Sequence, residues 1–255
     1  MKYMEICKEV NKVVAKKSNS IFERFEKKYM LDRETYNLLL EAIEPYMNMD
    51  SYGKHTIGNI YYDTNTYELI RHSIEKPVYK EKLRLRCYGV PNEESTVYLE
   101  LKKKYDGIVY KRRIALTLTE AEAYLNEGFK PQQDSQILRE IDYFISFYNV
   151  RPKVYLAYDR IAYFGIEDSD VRITFDHNIR SRQYDLSLGK GDYGEPLLDE
   201  YKHLMEIKVK GAMPMWLSKI LSDLEIYPAS FSKYGNVYKT TILPNRGKEL
   251  CLQAY

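Results

Sequence analysis

Along much of the chain, polar and apolar residues alternate with a period of two, and the polar partner is repeatedly a cation. The stretch Glu81-Lys82-Leu83-Arg84-Leu85-Arg86-Cys87 is the clearest case. Successive side chains of an extended chain point to opposite faces, so Lys82, Arg84 and Arg86 share one face and Leu83 and Leu85 the other. One such strand would be an ordinary antiparallel strand with its arginines in solvent. Here the device recurs. Arg24, Glu26 and Lys28 share a face in FERFEKKYML, as do Tyr98, Glu100 and Lys102 in VYLELKKK, opposite Leu99 and Leu101. Lys111 and Arg113 align in IVYKRRI, Tyr158 and Arg160 in YLAYDRIAY, and Arg172, Thr174 and Asp176 in VRITFD. LMEIKVK aligns Glu206, Lys208 and Lys210 opposite Ile207 and Val209.

These patterns predict strands over 22–31, 58–63, 79–88, 97–105, 109–118, 153–164, 171–176, 179–186 and 203–210, with Asp106-Gly107 as a hairpin turn. Start and stop signals predict a helix from Asp32 to about Tyr46, and a short one opened by a Thr119–Glu122 capping box and closed by Gly128. Further helices are expected over 134–148 and from Pro214 to 226. The segment 231–242 reads as mixed or extended. The fold class is α+β, a closed antiparallel β-barrel. With the apolar faces turned inward, the amphipathic helices would have nothing to cover. With those faces outward under the helices, the charged faces line a basic interior. Cations crowded in a reduced dielectric are costly unless acids or a polyanion neutralise them. Guanidinium forks and ammonium groups suit phosphate oxygens.

No Pro-, Gly- or Ser-rich linker divides the chain, which reads as an N-terminal extension over 1–20, one domain over 21–243 and a tail over 244–255. Ile6, Val10, Val13 and Val14 place a helix in the extension. Lysine and arginine total 39 against 37 acids, a net charge of +2, so bulk charge points to neither a nucleic-acid coat nor a membrane surface. Polyanion binding must come from local arrangement. Cys7, Cys87 and Cys251 are odd in number and far apart, which fits a reducing compartment and no disulfide framework. Without a signal peptide or a run of about 20 apolar residues, the expected location is cytoplasmic. Neither a Walker A loop, nor GxGxxG, nor HExxH is present. The 26 tyrosines are read as strand formers rather than a base-stacking surface, so nucleic acid is not an expected partner.

The ordered motifs R-F-E-K-K-Y, Y-Y-D-T, R-L-R, L-E-L-K, Y-K-R-R, Y-D-R, R-I-T-F-D, M-E-I-K and S-K-Y carry a resemblance over 22–239. The chain resembles the VTC domain of the triphosphate tunnel metalloenzyme (CYTH-like) superfamily. It resembles in particular bacterial relatives of the catalytic subunit of the vacuolar transporter chaperone complex, a polyphosphate polymerase. The resemblance implies a β-tunnel whose basic side chains hold a nucleotide triphosphate and a growing phosphate chain. It assigns catalytic roles to Arg84, Arg86, Lys102, Arg160 and Lys233. Substrate binding falls to Arg24, Lys28, Lys111, Arg113, Tyr158, Arg172, Lys208 and Ser232, and Mn²⁺ or Mg²⁺ to Glu206. The implied reaction moves the γ-phosphate of ATP onto phosphate or polyphosphate. The alternatives are a tripolyphosphatase or nucleoside triphosphatase on the same tunnel, and a non-catalytic polyphosphate-binding module. Only Glu26 aligns with Arg24 and Lys28, a departure from the ExExK signature of the cyclase and thiamine triphosphatase branch. The SPX domain and membrane helices of eukaryotic members are not in this sequence, so a separately encoded membrane protein is an expected partner, beside ATP and polyphosphate.

Overall fold

The computed structural model describes residues 24–245. The expected N-terminal helix, with Cys7, and the end of the tail, with Cys251, lie outside the described residues. The strands are β1 Arg24–Leu31, β2 Met47–Met49, β3 His55–Asp63, β4 Tyr79–Tyr88, β5 Thr96–Tyr105, β6 Ile108–Thr117, β7 Arg151–Gly165, β8 Arg172–Arg182, β9 Glu195–Pro196 and β10 His203–Lys210. The helices are α1 Arg33–Ile43, α2 Glu68–Ile74, α3 Leu118–Glu122, α4 Gln136–Tyr148, α5 Met215–Asp223 and α6 Lys233–Val237. Wider π turns, Ala123–Glu127 and Tyr238–Ile242, extend α3 and α6.

Asp32 caps α1 by accepting from the Thr35 amide, as its position predicts. The second capping box is formed by Thr117 and Glu120, two residues before the expected pair, because β6 runs directly into α3. Ser135, not Asp134, caps α4, and Asp134 instead pairs with Arg139. Asp106 (φ 43°) and Gly107 (φ 83°) are both left-handed, the geometry that a tight β5–β6 hairpin requires. The two strands expected over 171–186 are one, β8. Asn178 takes a left-handed φ of 48°, and the β7–β8 register shifts between Ala157 and Asp159, so a bulge stands where the alternation suggested a break.

Ten strands form one sheet in the order β1-β10-β8-β7-β3-β4-β5-β6, with β2 on β7 and β9 on β8. The ladders are antiparallel throughout. The sheet is not the expected closed barrel: among the described residues β1 and β6 are not hydrogen-bonded to each other. The free edge of β1 is taken by the chain after α5, where the Ala229 amide donates to Lys28 O at 2.7 Å and Tyr29 bridges Pro228. Sheet twist still curls the two ends together. Lys28 of β1, Lys82 of β4 and Lys102 of β5 line one cavity although many strands separate them in the sheet.

The apolar faces point outward under helices, as the alternation predicts. Leu83, Leu85, Leu99 and Leu101 pack under Leu138, Ile141 and Phe144 of α4, and Ile173, Phe175, Met205 and Ile207 under Leu39 and Ile43 of α1 and Leu217 of α5. A third cluster is internal, where Tyr234, Val237, Tyr238 and Ile242 pack on Tyr61, Leu156, Tyr158 and Leu204. The segment expected to be mixed or extended is therefore helical from Lys233 on and fills one end of the concave face. Gly58 shows how closely β3 is packed: a Cβ there would meet Cys87 Sγ at 2.8 Å and Tyr155 OH at 3.0 Å. Gly58→Ala is expected to cost about 1–3 kcal/mol, measured by urea denaturation.

Candidate functional site

Antiparallel register brings Tyr61, Arg84, Glu100 and Arg113 into one row across β3 to β6. Glu100 is buried and is the hub of this half. Arg84 donates from Nε to its Oε2 at 2.8 Å, places Nη2 2.7 Å from the same atom, and donates from Nη1 to Tyr61 OH at 3.3 Å. Lys111 Nζ lies 2.7 Å and Arg113 Nε 3.8 Å from Glu100 Oε1, and the Arg113 guanidinium sits 3.4 Å over the Tyr98 ring. Arg86 is 3.9 Å from Glu100 Oε2 and donates to Asn59 Oδ1 at 2.9 Å and Tyr158 OH at 3.2 Å. Burial pushes the Glu100 carboxyl up, but Arg84 and Arg86 outweigh it and bring it down to about 2.

The opposite half is built on two more buried carboxylates. Arg160 forks onto Asp176 with Nε at 2.6 Å and Nη2 at 2.8 Å, and Lys233 Nζ reaches the same carboxylate at 2.5 Å. Glu206 receives Lys28 at 3.2 Å, Lys208 at 3.4 Å and, more distantly, Arg160 at 3.9 Å. Lys28 also donates to Phe231 O at 3.1 Å, and Lys208 lies 3.7 Å from Glu26. Burial opposes ionisation of Glu206, yet Lys233, Lys28 and Lys208 outweigh it and hold the carboxyl well below its ordinary range. Tyr158 lies beneath this half, with Lys233 Nζ 4.3 Å and the Arg160 guanidinium 5.1 Å from its ring centre.

Adjoining these clusters through Lys28 opens a cavity of about 330 Å³, lined among others by Lys28, Lys80, Lys82, Lys102, Lys104 and Lys239, with no carboxylate in its lining. Lys82 Nζ is 3.5 Å from Ser232 Oγ. Burial, helped by Lys80, Lys102 and Lys28, pushes the Lys82 ammonium down to about 8. Burial likewise lowers Lys102, with Glu26 opposing and Arg84 and Lys28 adding to the shift. A bound polyanion needs the charged form. Affinity for inorganic tripolyphosphate is therefore expected to fall as pH rises through about 8, toward the ordinary lysine value of 10.5. Lys82→Arg should flatten that fall, which calorimetric titrations at a series of pH values check.

Of the residues singled out from sequence, Lys28, Arg84, Arg86, Lys102, Lys111, Arg113, Tyr158, Arg160, Glu206, Lys208, Ser232 and Lys233 converge on this concave face. Arg172 stands at its rim, exposed, with Nη2 3.1 Å from Asp50 Oδ2. Arg24 opens β1 opposite Lys210. The acids Glu100 and Asp176 were visible in the alternation, but nothing in the sequence marked them as the hubs on which the cations are mounted. Lys82 shares the face of Arg84 and Arg86, but no motif of the resemblance assigns it a role, and Asn59 is a lone amide in an apolar strand with no sequence signal.

Among the described residues, no three His, Cys, Asp or Glu side chains converge on a metal. The donor set still fits a hard cation that draws most of its ligands from a substrate, since Mg²⁺ typically binds through one or two carboxylates plus phosphate oxygens. The cations around Glu206 favour its carboxylate form, and Thr174, opposite it in register, has a buried hydroxyl without a hydrogen-bond partner.

The family model described as VTC domain matches residues 23–242. No curated protein matches the chain. Among solved structures, a candidate adenylate cyclase from Bacillus halodurans is 17% identical with a TM-score of 0.51, over 81% of this chain and 92% of that one. A candidate adenylyl cyclase from Hippeastrum, described as having a dominant triphosphatase activity, is 16% identical with a TM-score of 0.51, over 84% of this chain and 94% of that one. These likenesses are of fold.

Proposed function

The chain belongs to the VTC domain family, and from that premise we propose that it is a metal-dependent polyphosphate polymerase, moving the γ-phosphate of ATP onto a phosphate or polyphosphate acceptor. The observation that carries this reading is the division of the concave face into two unlike parts. At Glu100 and Asp176 the arginines are held rigidly by buried acids, which suits a short, fixed anion such as the triphosphate of a nucleotide. The adjoining cavity has lysines and no acid, which suits a flexible linear polyanion needing charge without fixed geometry. A hydrolase of triphosphate has less use for that second part.

Phosphoryl transfer asks the protein mainly for alignment and charge neutralisation. Arg84, Arg86 and Arg160 would grip the nucleotide phosphates, with Lys28 and Lys233 over the transferred group. Lys82, Lys102 and Lys104 would hold the acceptor chain in line behind it. An acceptor oxygen forms the new bond to the γ-phosphorus as the bridge to the β-phosphate breaks, and ADP leaves with that electron pair. An already ionised phosphate needs no general base. Glu206 and Thr174 would hold Mn²⁺ or Mg²⁺, which when bound supplies further positive charge to the phosphates.

The test is incubation of purified protein with ATP and Mn²⁺ or Mg²⁺, resolving polyphosphate on a gel and quantifying ADP and free phosphate. A ladder with ADP well above free phosphate is expected. Equal ADP and phosphate without a ladder would make it a hydrolase, the activity described for the Hippeastrum protein. Binding without turnover would make it a polyphosphate-binding module. No helix among the described residues is long and apolar enough to cross a membrane.

A further inference from the structure

Asp63, in the Y-Y-D-T motif, has no place in the site above and is nevertheless the most heavily engaged acid outside it. It is fully buried at the end of β3. Its Oδ1 accepts from the Thr64 and Leu69 amides at 2.8 and 3.0 Å, and its Oδ2 from the Ile70 amide at 3.0 Å. These bonds fasten the start of α2 to β3. The remaining bond runs elsewhere: Tyr234 OH, 171 residues along the chain, donates to Oδ2 at 2.9 Å. The Tyr234 ring stacks on Tyr61, centroids 4.8 Å apart, and Tyr61 OH accepts from Arg84.

Tyr234 is the neighbour of Lys233 in a strap that crosses the concave face. Phe231 O accepts from Lys28, Ser232 Oγ from Lys82, and Lys233 donates to Asp176, so consecutive residues touch β1, β4 and β8. All three of those contacts involve groups that a bound polyanion competes for. The anchor at Asp63 is buried and away from that competition. We propose that Asp63, acting through Tyr234, is a positioning residue that fixes the strap across the site, holding Lys233 and Ser232 in place in the free protein and when substrate takes over their partners. For turnover this inference depends on the proposed function; as a statement about where Lys233 stands it does not.

The test uses the full chain and two variants, Tyr234→Phe and Asp63→Asn. Tyr234→Phe removes one oxygen, keeps the stack on Tyr61 and leaves Asp63 its backbone bonds, so it carries the test if Asp63→Asn does not fold. In the free protein, acetylation of Lys233 by a water-soluble ester, read by mass spectrometry against the exposed Lys219, is expected to rise at least about ten-fold in Tyr234→Phe. Affinity for inorganic tripolyphosphate should fall by about ten-fold, and that loss should vanish in a Lys233→Gln background, because the two changes act through one group. Unchanged labelling of Lys233 overturns the inference, as does a loss of affinity that persists undiminished in Lys233→Gln. If labelling rises as expected but the wild type binds no tripolyphosphate, the proposed function fails and the positioning role stands.

Discussion

Glu206→Gln is expected to reduce ATP turnover by about 100-fold or more while leaving metal-free binding of inorganic tripolyphosphate no weaker than in the wild type. The two readouts separate because the carboxylate has opposite effects on them. In the free protein Glu206 occupies Lys28 and Lys208, which under the proposed function an incoming phosphate would need, so removing its charge would release those cations. Were a divalent ion bound as proposed, the same carboxylate, the only acid on β10, would hold it, and its loss would remove charge neutralisation at the transferred group. Steady-state turnover across a Mn²⁺ titration, together with calorimetry in chelator, measures both. Unaltered turnover would dismiss the metal assignment, and an equal fall in both quantities would make Glu206 a structural acid.

Glu100→Gln is expected to give the largest change in stability, about 3 kcal/mol, at the low end for breaking a buried ion pair because Lys111 and Arg113 reach solvent. The carboxylate sits among Arg84, Arg86, Lys111 and Arg113, and removing its charge leaves those cations facing one another. A polyanion can take its place. Tripolyphosphate should therefore raise the melting temperature of Glu100→Gln by more than that of the wild type, and the gap between the two proteins should narrow as ligand is added. Thermal melts with and without tripolyphosphate check this. A gap that stays constant would mean that the phosphates do not bind beside Glu100.

Much of this molecule follows from a strand's period of two. Alternation placed Leu83, Leu85, Leu99 and Leu101 on one face and Lys82, Arg84, Arg86 and Lys102 on the other. The observed β4–β5 pairing keeps them so, with Leu83 opposite Leu101 and Arg84 opposite Glu100. Local signals were equally direct where a short-range interaction decides the outcome, as at Asp32 on α1 and at the Asp106-Gly107 turn. They slipped by a residue or two at Thr117 and Ser135, where two nearby residues can both cap and only the direction of the incoming chain chooses between them.

Pairings between distant segments were not legible, because no local propensity encodes them. The segment 231–242 reads as mixed or extended, yet from Lys233 on it folds as α6 and a π turn, since Tyr234, Val237 and Tyr238 find an apolar patch formed by β3, β7 and β10. That patch exists only once the sheet has curled. The same holds for the open edge: Ala229 donates to Lys28 O, and β6 stays unpaired with β1. The sequence by itself determined which residues face inward, and hence that the interior would be cationic, because side-chain direction in a strand is a local property of the backbone. Only the tertiary structure decided which acid holds which cation, where lysine replaces arginine along the concave face, and that a strap anchored at Asp63 crosses it. Those are distances between strands far apart in the chain, fixed by register and curl.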